Sequence, residues 1–470
     1  MNSKQTKGPA IAGVIALAAL LVVGSTAAAL DPIQLVPEID TIGQQVATVQ
    51  VYNSGDGLGD RITFGIYDSG ASVVTFGYQD LAGLDGLGQS IGVEVPNGAE
   101  ASGLGGVLIG DVSVPGAVTA VGMSGVTIDF DFSSPTFLDV TVNSDAQSAS
   151  VAGIQAFLVN DTTSVNLPTI TGTPIHAGGK AARIDMIGYG FDLAELFPGL
   201  GIELIIPMPD ITFHQSGTVA LSGDPNSPTN PVSAPVRIPM DLFGDDNVSS
   251  PGSQLSFSYN PVQPNVTLRD DPGTGALSVT GKKFLFDVGA QMNIVSEEII
   301  LALGKDPNSP DTTLDIQGAA GQADQVKGFV IDRLELPADT NFDGVVDDVL
   351  PFENATVFML DLGFGIDGIL GMSLMNPADQ FLYDPHDPLG ASVSMTFDLD
   401  RNTSVGTLDT MLLSLLASDS EFGAAFGGAL GAGSAFPNFN IIPEPSGGLL
   451  FALGLLFALG SCRFHHGRRC

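Results

Sequence analysis

Asp68 and Asp287 each stand in an Asp-x-Gly-Ala turn at the end of an apolar run. The first copy reads Ile62-Thr63-Phe64-Gly65-Ile66-Tyr67-Asp68-Ser69-Gly70-Ala71-Ser72 and the second Lys283-Phe284-Leu285-Phe286-Asp287-Val288-Gly289-Ala290-Gln291. A single Asp-x-Gly suits any turn, because both residues tolerate turn geometry. Two copies brought face to face would set two carboxylates in one cleft, where both cannot easily ionise at once. A pair holding one proton can act as acid and base on a water molecule.

Each turn is followed by a run in which two apolar residues precede a glycine, Ile184-Asp185-Met186-Ile187-Gly188-Tyr189 and Ile366-Asp367-Gly368-Ile369-Leu370-Gly371-Met372. With both pairs of motifs, most of residues 45 to 400 resembles the aspartic peptidases of the pepsin and retropepsin families. The resemblance implies an all-β, bilobal pair of β-barrels with Asp68 and Asp287 as the catalytic dyad. It implies that Ser69, Gly70 and Gly289 support the dyad, and that the substrate is a peptide or protein. In those families a Ser or Thr follows each catalytic Asp and its hydroxyl helps lock the turns together. Ser69 fits that pattern. Val288 departs from it, having no polar side-chain atom, and Gln291 stands where the first copy has Ser72. Two readings follow: an aspartic endopeptidase, or a catalytically inactive relative that serves as a surface or matrix binding protein.

The elements that must position these turns are strands. Short alternating runs such as Val126-Thr127-Ile128-Asp129-Phe130-Asp131-Phe132 predict β structure with one buried face, and long amphipathic helical patterns are scarce. The chain of 470 residues carries 59 Gly and 30 Pro with only 14% charged residues, which suffices for a large bilobal body. We read residues 30–190 as the first lobe, 191–277 as a β-rich connection and 278–418 as the second lobe. Within the connection, Asp224 to Pro231 is rich in Pro and Asn, while Ile202 to Pro207 and Gln254 to Tyr259 read as strands. In the second lobe, Leu314 to Gly321 followed by Gly328 to Ile331 reads as a hairpin with a Gly-rich tip. In the resembling families such a hairpin can cover the cleft as a flap; an ordinary surface hairpin fits the residues equally.

A second constellation lies at Asp339-Thr340-Asn341-Phe342-Asp343-Gly344-Val345-Val346-Asp347-Asp348. Oxygen ligands at alternate positions with Gly sixth are what a calcium loop needs, since glycine permits the sharp turn round a hard cation. Asp339, Asn341 and Asp343 would offer side chains, Val345 its carbonyl, and Asp347 a direct or water-mediated oxygen. The twelfth position is Leu350, so the loop resembles dockerin-like calcium loops more than an EF-hand. The expected role of calcium is structural.

Both ends read as targeting segments. Lys4 and Lys7 precede an apolar stretch from Ala10 to Val23, and Ala27-Ala28-Ala29 offers small residues for cleavage, which makes 1–29 a signal peptide. Residues 419–442 read as a Gly-rich spacer. From 443 to 470, Pro443-Glu444-Pro445, an apolar run Leu449 to Leu459 and then Arg463, Arg468 and Arg469 resemble the PEP-CTERM sorting signal of bacterial surface proteins. That resemblance implies an exosortase-type partner, membrane contact only through the terminal segments, and a folded body at the cell surface, outer membrane or extracellular matrix. A simple C-terminal anchor is the plainer alternative.

A formal charge of −36, from 52 acidic against 16 basic residues, excludes nucleic acid as a partner. Both cysteines, Cys462 and Cys470, lie in the tail, so no disulfide staples the body. His176, His214 and His386 are isolated in sequence and read as surface or turn residues. No Gly-x-Ser-x-Gly elbow or phosphate loop is present, which leaves the carboxylate pair as the case for chemistry.

Overall fold

The computed structural model describes residues 30–397, apart from 38–39, 56–59, 78–90, 104–105, 131–137, 160–168, 193–204, 222–232, 244–258, 272–274, 319–320 and 363–364. The signal peptide, the spacer, the sorting signal and the Pro- and Asn-rich run 224–231 lie outside the described residues. The fold is all-β, built from two nine-stranded sheets, a five-stranded sheet and a two-stranded hairpin. Among the described residues the α-helices are short, Glu297–Ala302 and Met372–Met375. None of them is long and apolar enough to cross a membrane.

The two large sheets repeat one plan. In the first, strand Arg61–Tyr67 runs into Asp68, with Ala47–Asn53 antiparallel on one side and Thr169–Thr171 parallel on the other. In the second, Leu277–Phe286 runs into Asp287, with Asn260–Asp270 antiparallel and Gly368–Leu370 parallel. The short strands after the turns match as well. Thr75–Phe76 pairs antiparallel to Thr169–Thr171 and parallel to Phe157–Leu158, and Asn293–Val295 pairs antiparallel to Gly368–Leu370 and parallel to Asp348–Met359.

Each lobe also carries a hairpin. The expected one joins Thr312–Gly318 to Gly321–Ala338, its tip at 319–320 lying outside the described residues. Its counterpart, Val93–Gly103 with Gly106–Ser113, was not legible as a strand pair. Pro96, Asn97 at φ 51° and Gly98 interrupt its alternation, and the register shifts across them.

The five-stranded sheet joins the lobes. Lys180–Asp192 and Ala378–Asp384 lie antiparallel at its centre, with Ala182 opposite Tyr383 and Ile184 opposite Phe381. Ile205–Gln215 flanks the first, while Ser392–Phe397 and then Val236–Pro239 flank the second. Its inward residues Ile184, Phe381 and Tyr383 are fully buried and share one continuous core with Tyr67, Phe286 and Val288. Phe286 meets Phe381 edge to face at 6.1 Å, a contact worth about 0.5–1.5 kcal/mol beyond burial. The floor beneath both turns is therefore a single packed layer.

The N-terminal strand is placed in a way the sequence did not indicate, whereas the connection supplies strands that extend one lobe and join the two, as its runs suggest. Ile33–Gln34, the first strand among the described residues, pairs with Asp348–Met359 of the second lobe, ahead of the strands of the first. The stretch 191–277 supplies Ile205–Gln215 and Val236–Pro239 to the joining sheet, and Asp241–Phe243 and Asn260–Asp270 to the second lobe.

Candidate active site

The parallel strand beside each Asp turn fixes its geometry. The amide of Asp68 donates to Thr171 O at 3.0 Å and that of Asp287 to Leu370 O at 2.9 Å. Each strand then ends in a glycine under which the turn passes. A Cβ on Gly172 would lie 2.0 Å from Val73 O, and one on Gly371 2.3 Å from Met292 O, so a larger residue at either place would push the turn away. The match continues one residue on, where Thr173 N donates to Ala71 O and Met372 N to Ala290 O, both at 2.8 Å.

This corrects the reading of the first lobe. The run Ile184 to Gly188 does not lie beside the Asp68 turn; it belongs to Lys180–Asp192, in the joining sheet. The true partner, Thr169-Ile170-Thr171-Gly172, hides its role because two of its three strand residues are threonines. Thr171 uses its hydroxyl on Thr48 at 3.0 Å, which satisfies it in the core. The second-lobe run was read correctly, with Gly368–Leu370 the parallel strand and Gly371 its terminal glycine.

Within the turns the carboxyls are held alike. Asp68 Oδ1 accepts from Gly70 N at 2.7 Å and Ala71 N at 2.9 Å, and Asp287 Oδ1 from Gly289 N at 2.8 Å and Ala290 N at 3.2 Å. Each carboxyl lies against the glycine of the opposite turn, Asp68 by Gly289 and Asp287 by Gly70, which brings the two acids close enough to shift each other's titration. Gly70 and Gly289 make that approach possible. A Cβ on Gly70 would lie 2.5 Å from Asp287 Cγ, and one on Gly289 2.3 Å from Asp68 Cγ. Asp68, Asp287, Ser69, Gly70 and Gly289 thus come together at one point between the lobes.

The electrostatics follow from that enclosure. Burial raises the Asp68 carboxyl well above the ordinary carboxylate range, and the Asp287 charge and hydrogen bond raise it further against the pull of the Gly70 and Ala71 amides. Burial also raises Asp287, while the Asp68 hydrogen bond and the turn amides oppose the rise. The pair therefore shares one proton over a range where a free Asp would have lost it, and it titrates as a unit.

The grip between the turns is one-sided. Ser69 Oγ donates to Phe286 O at 2.8 Å and accepts from Val288 N at 3.0 Å. Val288 is 1% exposed and packs into the main core. Gln291 Nε2 reaches Gly43 O at 3.2 Å, so it ties the second turn to the N-terminal segment.

Three further residues bear on the site to which the sequence reading gave no part in it. Tyr67, next to Asp68, is fully buried, and its hydroxyl lies 2.7 Å from His176 Nε2. His176 Nδ1 lies 2.7 Å from Lys180 O, which can only accept. Nδ1 therefore carries the proton and Nε2 accepts from Tyr67. His176 stands in a turn, the 3-10 segment Thr173–Gly178, but is wholly buried and so is not a surface residue. Burial depresses it from the ordinary 6.5 to about 4. The third residue is Asn260, whose Nδ2 donates to Ser69 O at 2.9 Å. A hydroxyl, an imidazole and an amide in ordinary strand or turn contexts carry no sequence signal of such contacts.

The acidic loop lies away from the dyad, between Gly321–Ala338 and Asp348–Met359. Its backbone turns through left-handed conformations at Phe342, φ 58°, and Gly344, φ 86°. Asp343 N donates to Asn341 Oδ1 and Val345 N to Asp343 Oδ1, two local turn bonds at the exposed surface. Asp339 is fully buried; its Oδ2 accepts from Gly344 N at 2.8 Å and from Arg237 Nη1 at 3.2 Å. Asp347 accepts instead from Thr340 N and Oγ1. Among the described residues no group of three or more His, Cys, Asp or Glu side chains is arranged to hold a metal ion.

Comparison with known proteins adds to this geometry. The family model described as aspartyl protease matches residues 276–374, which contain the Asp287 turn and its Gly371 strand. No curated protein matches the chain. Among solved structures, a retropepsin-like aspartic protease from Rickettsia conorii matches at 15% identity over 36% of this chain and 97% of its own, with a TM-score of 0.20. Edgp matches at 9% over 75% and 95%, TM-score 0.34, and basic 7S globulin from soybean at 9% over 77% and 97%, TM-score 0.34. The two opposed Asp turns, each under a glycine-terminated parallel strand, together with the family match over the second, make this an aspartic-protease-like fold.

Proposed function

We propose that the chain is an aspartic endopeptidase acting on peptide or protein substrates. The observation that carries this reading is the approach of the Asp68 and Asp287 carboxyls, each held by two amides of its own turn and lying against the glycine of the other. Asp287, ionised, takes a proton from a water molecule as that water attacks the scissile carbonyl. Asp68, the stronger proton holder, gives its proton to the carbonyl oxygen, and a tetrahedral diol forms. Asp287 then gives that proton to the departing amine as the C–N bond breaks, while Asp68 takes a proton back from one diol hydroxyl, leaving a carboxylic acid and the dyad in its starting state. A peptidase assay on a mixed protein substrate from acidic to neutral pH tests the reading. Cleavage lost in Asp68→Asn and in Asp287→Asn supports it, and cleavage absent from the native chain sinks it.

A second reading, a catalytically inactive surface or matrix binding protein, is favoured by one observation. The hydroxyl grip between the turns runs from Ser69 alone, because Val288 offers no hydroxyl.

We propose further that the protein is exported, carried to the bacterial surface or matrix by its terminal signals and processed by an exosortase-type enzyme. Cleavage after Ala29 would make Leu30 the mature N-terminus. Its nitrogen already lies 3.1 Å from Asp348 Oδ2, where an ammonium would gain an ion pair. Sequencing the N-terminus of the exported protein tests this; a start far from Leu30 overturns it. We propose calcium as a structural ion of the loop from Asp339 to Asp347. The backbone course supports it, and the Arg237 guanidinium already on Asp339 competes with it.

A further inference from the structure

The missing hydroxyl at position 288 leaves a specific deficit. Ser69 reaches across to two backbone groups of the second turn, and the side chain at 288 reaches back to none of the first. Something else must fix the first turn if Asp68 is to stay in register with Asp287. Asn260 is placed for that. It opens strand Asn260–Asp270, whose partner strand runs directly into Asp287. Its backbone therefore belongs to the second lobe, while its side chain lies on the first turn. Nδ2 donates to Ser69 O at 2.9 Å, and Oδ1 accepts from Ser72 Oγ at 2.9 Å. One carboxamide thus spans the turn that holds Asp68, from the residue after the aspartate to the fourth beyond it.

The side chain has little freedom to do otherwise. Asn260 is 2% exposed, its backbone pairs with Phe243, and the preceding Tyr259 donates from its amide to Thr173 Oγ1 at 3.4 Å. Tyr383 of the joining sheet donates its hydroxyl to Tyr259 O. The strand start is anchored before the carboxamide reaches across. The pseudo-symmetric place is filled differently. At the second turn Gln291, equivalent to Ser72, meets the backbone of Gly43: Gly43 N donates to Gln291 O at 2.6 Å and Gln291 Nε2 to Gly43 O. The second turn is held by the Ser69 hydroxyl and the first by the Asn260 carboxamide. The two lobes exchange one grip each, by unlike chemical groups.

We propose that Asn260 is a positioning residue for the dyad, standing in for the hydroxyl absent at 288 and holding the Asp68 carboxyl against Asp287. In its kinetic form this rests on the peptidase reading; in its structural form it does not. The experiment has two readouts on the full mature chain. The first is the carboxyl titration of the dyad, followed by NMR with labelled aspartate. The second is kcat and KM on a peptide substrate. The variants are Asn260→Ala, Val288→Thr, the double variant and Ser72→Ala.

Asn260→Ala is expected to bring the two titration steps of the dyad closer together and to lower kcat by roughly tenfold, the scale of losing one or two neutral hydrogen bonds, with KM nearly unchanged. Val288→Thr is expected to restore most of that loss in the double variant, a larger gain than it gives the native chain. Ser72→Ala, which removes only the Oδ1 partner, is expected to move both readouts the same way by less. It decides the matter if Asn260→Ala fails to fold. Dyad titration unmoved in a folded Asn260→Ala chain, or unmoved in Ser72→Ala where the alanine variant does not fold, overturns the proposal. So do effects of Asn260→Ala and Val288→Thr that simply add. A native chain without peptidase activity whose titration nonetheless shifts in Asn260→Ala would sink the peptidase reading and leave Asn260 in its role.

Discussion

The backbone amide of Val288 donates to the hydroxyl of Ser69 at 3.0 Å, and the Val288 side chain gives nothing in return. Two turns that match in strand pairing, amide contacts and terminal glycines therefore differ at the residue that would complete their mutual lock.

That asymmetry sets the first prediction. Val288→Thr places a hydroxyl toward the first turn and should add one hydrogen bond worth about 0.5–1.5 kcal/mol. Expressed wholly in the transition state, this is roughly a 2- to 12-fold gain in kcat. Steady-state kinetics on one peptide substrate checks it, and a fall in kcat would mean that the Val288 packing matters more than the missing bond.

The dyad also makes a prediction about stability. Both carboxyls are raised in the folded protein, so the folded state binds more protons than the unfolded one once pH exceeds about 4, the ordinary carboxylate value. Stability contributed by the neutral form is present below that value and is lost as pH rises through the folded-state range. Asp68→Asn removes the titration while keeping a hydrogen-bonding group. It should abolish cleavage and yet melt higher than the native chain at neutral pH, the advantage shrinking toward pH 4. Melting curves across that range check it; a variant that melts lower at neutral pH would count against a shared, raised proton.

His176 pushes in the opposite direction. Its folded value is depressed from 6.5 to about 4, so its contribution is present above 6.5 and is lost as pH falls through that window. The full loss is about 3 kcal/mol. Acidification should therefore weaken the fold just where an acid-active dyad would work. His176→Gln loses that slope in denaturant titrations between about pH 6.5 and 4, at the cost of a lower plateau at neutral pH. A slope as steep in the variant as in the native chain would assign the acid sensitivity elsewhere.

Calcium makes the fourth prediction. An ion bound only by the native loop raises the melting temperature as its concentration rises, by about 2.7 kcal/mol of stability at a hundredfold excess over Kd. Identical melting with added calcium and with a chelator would leave Arg237 as the counter-charge of Asp339. In that case Arg237→Met should cost about 3–5 kcal/mol, because it strands a buried carboxylate.

The sequence by itself determined the strand content, the two Asp turns and their identity as a pair. These are local properties: alternation fixes which face is buried, and Asp and Gly suit a turn wherever they fall. It also showed the glycine strand of the second lobe, where apolar residues flank Gly371. Tertiary structure alone decided the rest. In the first lobe a threonine strand took the equivalent place, since the Thr48 hydroxyl was there to satisfy Thr171. Pairing over 104 residues, from Gly65 to Thr169 and onward, leaves no local mark. Only folding brought Asn260 to Ser69, 191 residues away in the chain, and set a histidine behind Tyr67. A side chain's hydrogen-bonding capacity is written in the sequence; which group it meets depends on how the sheets pack.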